Sequence, residues 1–516
     1  MFFCFILTSL LVSFISGAAA SSRYVVHLKD PSTLSQLLDQ DDQVVTQNHI
    51  RASVVNTITI GEEFQAIIAD LEEETLERVK LNPLVDDVLE DNKVKIFECF
   101  DQGLETFTTV KHRLNSEKDI KIGVDQEKME PENQKDLTKY NLDQFQNRET
   151  EHFARKFNDG NVERISTSIP NEPKSTSLVR YKVQSDAPRH LARLSSYESL
   201  FTKQPPYEYF YRSSGSGVTA YVLDTGIDIG HPDFEGRAKR GANLVPEEGE
   251  GDRNGHGTHV AGALGSKTYG VAKEVEIVDI KVLDRTGSGN LSAILQGIEW
   301  AVNDRRSRGV KALANLSLGT FANKIFDDAV NAALNSGLVL VVAAGNSNFD
   351  ASYFSPARAS GSLTIGALDD RSDTIAVFSN YGDKIATFAS GVNVESLNKD
   401  NYDEVLSLSG TSMATPVVAG LVAMLLEDNT DPKEIKNRII ENSVQDIISL
   451  NISSLSKFKY RTTPNRVAFN GITTLDKDNY FITNIKPSFN GQDFSLIKYI
   501  DHLNDIESNN EQSSAG

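Results

Sequence analysis

The sequence predicts an α/β protein whose main body is a mostly parallel sheet with helices on both faces, preceded by a small α+β unit. Three observations carry this. Between about residues 185 and 471, segments rich in β-branched residues alternate with segments at helical spacing. Those strands are apolar throughout rather than alternating, the pattern of a sheet covered on both faces. Ahead of them, residues 23–98 hold short strands around one amphipathic helix.

In chain order, residues 1–20 form an apolar run that ends in small residues, with an Ala18-x-Ala20 pattern. At ~15 apolar residues it is short for a span and fits a secretory signal peptide, although no Lys or Arg precedes it. Residues 21–100 form the α+β unit. Arg23–Lys29, Val54–Ile60 and Phe64–Asp70 read as strands. Glu72–Lys80 opens with acids and closes with bases, as a helix dipole favours, and Asn82-Pro83 stops it before a last strand over Val85–Ile96. Residues 101–184 are polar, charged and weakly periodic, and read as a linker or disordered insert.

The α/β domain spans 185–471. Its strands are Gly217–Asp224, Val275–Val282, Lys311–Ser317 and Leu338–Ala344, with helices over Asn290–Val302 and Ile325–Gly337, where Gly337 is the stop. A further apolar helix starts at Ser412 and runs to about Glu427, with Pro416 expected in its first turn, where proline is tolerated. Residues 472–516 are an acidic, Asn/Ser-rich tail in which Phe481–Lys486 reads as a short strand.

Net charge is −20, which argues against nucleic acid as a partner. The two cysteines, Cys4 and Cys99, leave the α/β domain without an intrachain disulfide, and a domain of this size does not need one.

Three stretches carry chemistry. In Tyr221-Val-Leu-Asp-Thr-Gly-Ile-Asp228 an apolar strand ends in Asp224, and ligands of open α/β sheets sit at strand carboxyl ends. Alone, such an Asp is more often a turn former or cap. In Arg253-Asn-Gly-His-Gly-Thr-His259, glycines flank His256 and allow close backbone approach. The His256-x-x-His259 pair lacks the Glu of a zinc-protease motif, so no metal is expected and His259 reads as a buried support. In Ser409-Gly-Thr-Ser-Met-Ala-Thr-Pro416, Ser412 stands at a helix start, whose N–H groups and dipole favour a developing negative charge. Ser412 alone would be only a helix cap. Together the three follow the order Asp, His, Ser of one known arrangement of the catalytic triad.

On these motifs the chain resembles the subtilisin-type serine proteases, or subtilases, of the proteinase K branch, over about residues 23–98 and 185–471. Within the branch it is most similar to the sporulation-associated subtilases of budding yeasts. The resemblance implies a subtilisin-like sheet and a ferredoxin-like inhibitory propeptide at 21–100 that chaperones folding before removal. It implies a triad of Asp224, His256 and Ser412, with Asn346 of Ala343-Ala-Gly-Asn346 donating to the oxyanion. Substrate would lie extended against Gly287, Ser288 and Gly289 and against Ser317, Leu318 and Gly319, near Ala343, Ala344 and Gly345.

The implied protein is a secreted, self-processed serine endopeptidase that acts as a monomer on polypeptides, without a cofactor, in the extracellular space or spore wall, with the vacuole as alternative. A latent scaffold keeping the fold is the alternative function, and it has no need for all four of Asp224, His256, Ser412 and Asn346. Two departures stand out. The calcium-binding carboxylate of proteinase K relatives matches Ala386, although Asp383 is nearby, and Val260 replaces a cysteine common beneath the catalytic His. Asn290 and Asn451 are expected glycosylation sites, and Asn315, in a third sequon, is expected to be unmodified.

Overall fold

The computed structural model of the chain describes residues 21–39, 50–96, 181–449 and 459–472. The expected signal peptide, nearly all of the insert, both cysteines, Asn451, the tail beyond 472 and its expected strand lie outside the described residues. The described residues belong to one compact unit.

The N-terminal part has strands β1 (Ser22–Leu28), β2 (Val54–Ile60), β3 (Phe64–Leu71) and β4 (Val85–Glu90), paired antiparallel in the order β2-β3-β1-β4. Helices α1 (Leu34–Asp39), α2 (Ile50–Ser53) and α3 (Glu73–Lys80) accompany them. Alternation along the strands splits the side chains between two cores. Val26, Leu28, Ile67, Ala69 and Leu71 pack with Leu37, Leu76 and Val79 of the unit's own helices. Val25, Ile58, Ile60, Phe64, Ala66 and Ile68 face the α/β domain.

The expected strand over 85–96 is two strands. It breaks at Asp91-Asn92, and β5 (Lys93–Ile96) leaves the N-terminal sheet for another one. The break has a physical reason. Both residues turn to the start of helix α6 (Leu291–Arg308): Leu291 N donates to Asn92 O at 3.0 Å, and Ser292 N donates to Asp91 Oδ1 at 2.8 Å. A helix start leaves its first N–H groups without intrahelical acceptors, and Asn290, the cap residue, makes no side-chain cap bond.

The α/β domain opens with the hairpin β6 (Lys182–Ser185) and β7 (Glu208–Tyr211), bridged by α4 (Arg189–Leu194). Its central strands are β8 (Val218–Asp224), β9 (Ala238–Asn243), β10 (Glu276–Lys281), β12 (Lys311–Leu316), β14 (Val339–Ala343), β16 (Ser362–Asp369) and β18 (Thr387–Ser390). These pair parallel in the order β18-β16-β14-β12-β8-β10-β9. The short β17 (Thr374–Ile375), β21 (Val444–Gln445) and β22 (Arg466–Val467) extend the sheet. Strands β11 (Ser288–Asn290), β13 (Leu318–Phe321) and β15 (Phe354–Ser355) form a separate small sheet with β5, and β19 (Val394–Ser396) pairs with β20 (Leu406–Leu408).

Both faces of the central sheet are covered. Val218, Ala220, Val222, Val339 and Val341 pack with α5 (His256–Gly265) and α8 (Thr411–Glu427). Tyr221, Leu223, Leu340 and Val342 pack with α6 and α7 (Lys324–Asn335). A last helix, α9 (Ile435–Asn442), closes the first face through Ile435 and Ile439.

The face of α6 and α7 away from the sheet receives the N-terminal unit. Burial of each Val, Ile or Phe there contributes roughly 1.5–3 kcal/mol, against about 1 kcal/mol for a typical hydrogen bond, so apolar contact dominates the attachment. A polar rim surrounds it: Asn56 Nδ2 donates to Gln296 Oε1 at 2.7 Å, and Lys324 Nζ bridges Asp86 and Asp328 at 2.6 Å each. His27 is buried there, stacked on Phe64, with Nδ1 3.2 Å from Asp86 Oδ2 and 3.7 Å from Asp328 Oδ2.

Two predictions follow from this contact. Asp91→Ala removes the outside cap of α6 and is expected to lower the stability of an uncut chain by about 1 kcal/mol in urea denaturation. Burial pulls the His27 imidazole below its ordinary value, against the raising charges of Asp328 and Asp86 and with Lys324 adding to the fall. The unfolded chain then binds that proton before the folded one does. The His27 contribution is complete above about pH 6.5 and is lost as pH falls through the lowered folded value. His27→Gln is expected to flatten the stability-against-pH slope between about pH 7 and 5, and equal slopes would refute the assignment.

Candidate active site

The parallel sheet brings its chemistry to one edge. Asp224 closes β8, Ser317 follows β12, and Asn346 follows β14 by three residues. His256 opens α5 and Ser412 is the second residue of α8. All three candidate triad side chains are buried.

The Asp224–His256 pair is formed. His256 Nδ1 lies 2.7 Å from Asp224 Oδ1, which also accepts from Thr225 N at 2.8 Å. Glycine after the histidine is a steric requirement. A Cβ at Gly257 would lie 2.1 Å from Gly226 O and 3.2 Å from the Asp224 side chain. Gly257 N instead donates to Thr225 Oγ1 at 3.0 Å. Burial pulls the His256 ring down, but the charge and hydrogen bond of Asp224, with the charge of Asp252 behind them, leave its pKa raised. The other ring nitrogen, Nε2, has no hydrogen-bond partner among the described residues.

Ser412 Oγ points to Ser317 O at 3.2 Å rather than to His256. Pro416 is the sixth residue of α8, beyond its first turn and not within it as expected; even a start at Ser412 would make it the fifth. A proline there has no N–H for the carbonyl four residues back, which is that of Ser412. The Ser317 hydroxyl fills the vacancy. It donates to Ser412 O at 2.9 Å and accepts from Asn315 Nδ2 at 3.0 Å. The strand beside the cleft therefore fixes the backbone of the candidate nucleophile. Asn315 is fully buried in this contact, which leaves no room for a glycan.

Asn346 is oriented by the same helix start. Its Oδ1 accepts from Thr411 N at 2.9 Å and Thr411 Oγ1 at 2.8 Å, which sets the amide nitrogen away from those donors. Thr411 Oγ1 in turn accepts from Gly345 N at 3.1 Å, tying the end of β14 to α8. Ala343, Ala344 and Gly345 are buried, and Asn380 Nδ2 holds Ala344 O at 2.8 Å.

The expected substrate strands are already paired. Strand β5 lies between β11 and β13: Ser288 opposes Lys95, Gly289 opposes Val94, Leu318 opposes Ile96, and Gly319 opposes Lys95. Ile96 N donates to Gly287 O at 2.9 Å. Val94 is buried beside Leu291, Ile294 and Leu318. Asn290 ends β11 opposite Lys93 and is half-buried.

Residues the sequence reading passed over hold this edge together. Asp252 accepts five hydrogen bonds around the starts of α5 and the Asp224 turn. Its signal is the Asp252-x-Asn254 spacing, since such a side chain commonly binds the backbone two residues on. Lys281 is 1% exposed, and its ammonium donates to Thr225 O and Leu283 O at 2.6 and 2.9 Å. His259 is a buried support, with Nε2 3.0 Å from Val394 O and 3.1 Å from Leu406 O. Burial, then the neighbouring His256, push it down to about 3, so it stays neutral. Ala386, where the resemblance to proteinase K relatives would put a calcium-binding carboxylate, is a buried methyl, and Asp383 is exposed beside Lys384.

The sequence model of the Subtilase family matches residues 215–472. The chain is 34% identical over 480 residues to subtilase-type proteinase RRT12 of Saccharomyces cerevisiae, covering 90% of this chain and 86% of that one. It is 40% identical to subtilisin-like protease 3 of the same yeast, covering 56% of this chain and 62% of that one. It is 39% identical to a cuticle-degrading serine protease of Arthrobotrys oligospora, covering 59% and 73%. With the family matched over the α/β domain and a subtilase-type relative matched over nearly the whole length, this chain belongs to the subtilase family of serine endopeptidases, in its fungal branch.

Proposed function

We propose that the chain is the precursor of an endopeptidase that cuts extended polypeptides with Asp224, His256 and Ser412, and that it makes its own first cut. The observation that supports this most is the placement of β5. A segment of the chain itself lies as the middle strand between Gly287–Gly289 and Leu318–Gly319, the arrangement an extended substrate would take by strand addition.

In this reading, Ser412 Oγ turns from Ser317 O to His256 Nε2 and attacks the scissile carbonyl carbon. The hydroxyl proton passes to Nε2, and Asp224 holds the resulting imidazolium. Asn346 and the Ser412 N–H receive the negative carbonyl oxygen. As the C–N bond breaks, His256 returns the proton to the leaving amine. Water then repeats the sequence on the acyl-enzyme and frees Ser412.

The same reading makes residues 21–96 an inhibitory propeptide that assists folding, since they cover α6 and α7 and fill the cleft. The apolar run ending in Ala18-x-Ala20 supports a route through the secretory pathway, and no helix among the described residues is long and apolar enough to cross a membrane. A role in spore-wall formation is part of the proposal and rests on the resemblance of the motifs to sporulation-associated subtilases. Asn290 is a candidate glycosylation site once β5 has left.

Four outcomes test this. The wild-type chain is expected to lose its N-terminal unit, with the new N-terminus falling just after Ile96, within residues 97–100, because the strand register ends there. Ser412→Ala is expected to stay uncut, and identical processing of both would sink the proposal. Asn346→Ala is expected to lower kcat by about 100- to 1,000-fold with little change in KM on a peptide substrate. The acid limb of kcat/KM against pH is expected above the ordinary histidine value of about 6.5, because His256 is raised and must be neutral to act as base.

A further inference from the structure

We propose that Asp252 is a positioning residue of this active site: it locks the turn that carries Asp224 to the helix start that carries His256, and it places a second negative charge behind the imidazole. The inference rests on the triad reading above.

The geometry is a closed network. Asp252 Oδ1 accepts from Thr225 Oγ1 at 2.9 Å, Asn254 N at 2.9 Å and Gly255 N at 2.8 Å. Its Oδ2 accepts from Thr258 N at 3.0 Å and Thr258 Oγ1 at 2.7 Å. Thr225 Oγ1 accepts from Gly257 N, and Thr258 Oγ1 accepts from Asp228 N at 3.0 Å. One carboxylate thus joins residues on both sides of the Asp224–His256 bond.

The sequence around α5 explains why the group comes from outside the helix. The cap position is Gly255, at φ 107°, which has no side chain to satisfy the first N–H groups. Asp252 takes the N–H of Thr258, the third helical residue, as a cap side chain would, and its charge suits the helix start.

Other charges near His256 are already committed. Lys281 holds Thr225 O and Leu283 O, and lies 3.3 Å from Glu248. The Lys399 chain runs beside Gly255 and its ammonium pairs with Asp400. Arg240 binds Asp279 and Ile227 O, and His259 is neutral. Asp224 and Asp252 are the two carboxylates that raise His256.

The test compares Asp252→Asn and Asp252→Glu in the mature enzyme, as kcat/KM against pH on one peptide substrate at low and high salt. Asp252→Asn is expected to move the acid limb down by about half a pH unit at low salt and by less at high salt, because the lost charge is screened. Its plateau kcat is expected to fall about 10-fold or more with KM little changed, since positioning acts on the chemical step. Asp252→Glu is expected to lose rate but keep the acid limb near its original pH. An unshifted limb in Asp252→Asn, with equal loss at every pH, leaves a purely structural role and overturns the proposal. A limb that shifts as far in Asp252→Glu as in Asp252→Asn overturns it too. If Asp252→Asn does not mature, the His256 titration is followed by NMR in the uncut Ser412→Ala chain, where an unmoved pKa overturns it. Activity surviving in Ser412→Ala would instead sink the triad reading itself.

Discussion

The hydrogen bond between Asp224 and His256 is the contact around which the candidate active site is organised. It joins the end of a fully buried strand to the first residue of a helix on one face of the sheet. A carboxylate with no solvent exposure is costly unless its charge is balanced. The surroundings answer that cost in layers. Thr225 N and His256 bind the carboxylate, Gly257 lets the helix come close enough, and Lys281 grips the turn from below. Loss of any one of these would loosen two elements at once.

The candidate nucleophile is held by a different device. Pro416 removes a helical hydrogen bond, and the freed Ser412 carbonyl is taken by the hydroxyl of Ser317. The strand that borders the bound segment and the helix that carries Ser412 are therefore one mechanical piece. The Asn346 amide belongs to it as well through Thr411. Candidate attack and candidate oxyanion stabilisation share a single support, so a shift of α8 would disturb both together.

Much of this was legible from residue patterns because the patterns are local. Continuous apolar strands announced a sheet buried on both faces, and the Asp224, His256 and Ser412 stretches stood out by their glycines and their order. What stayed hidden depends on partners far away in sequence. Asp91-Asn92 is a local turn signal within Val85–Ile96, but where the chain goes after it is set by α6, some 200 residues on, whose start takes acceptors from these two residues. Helix α8 begins at Thr411, one residue before the expected start, and the free N–H of that first residue is taken by Asn346, 65 residues away in sequence. Asp252 looked like an ordinary loop acid because its donors are spread over Thr225 and residues 254–258.

The cap that Asp91 supplies to α6 gives the molecule a history. On the reading of residues 21–96 as a removable segment, the acceptors at the start of α6 and the apolar cover of α6 and α7 leave together when the chain is cut. Two copies with the same catalytic domain would then differ in what they could recover from. An uncut copy carries the template for its own helix start through every unfolding, whereas a mature copy has been parted from it. The lifetime of the mature protein becomes a matter of how slowly it opens, a rate rather than a balance. Maturation of such a chain runs in one direction, and each molecule is assembled once.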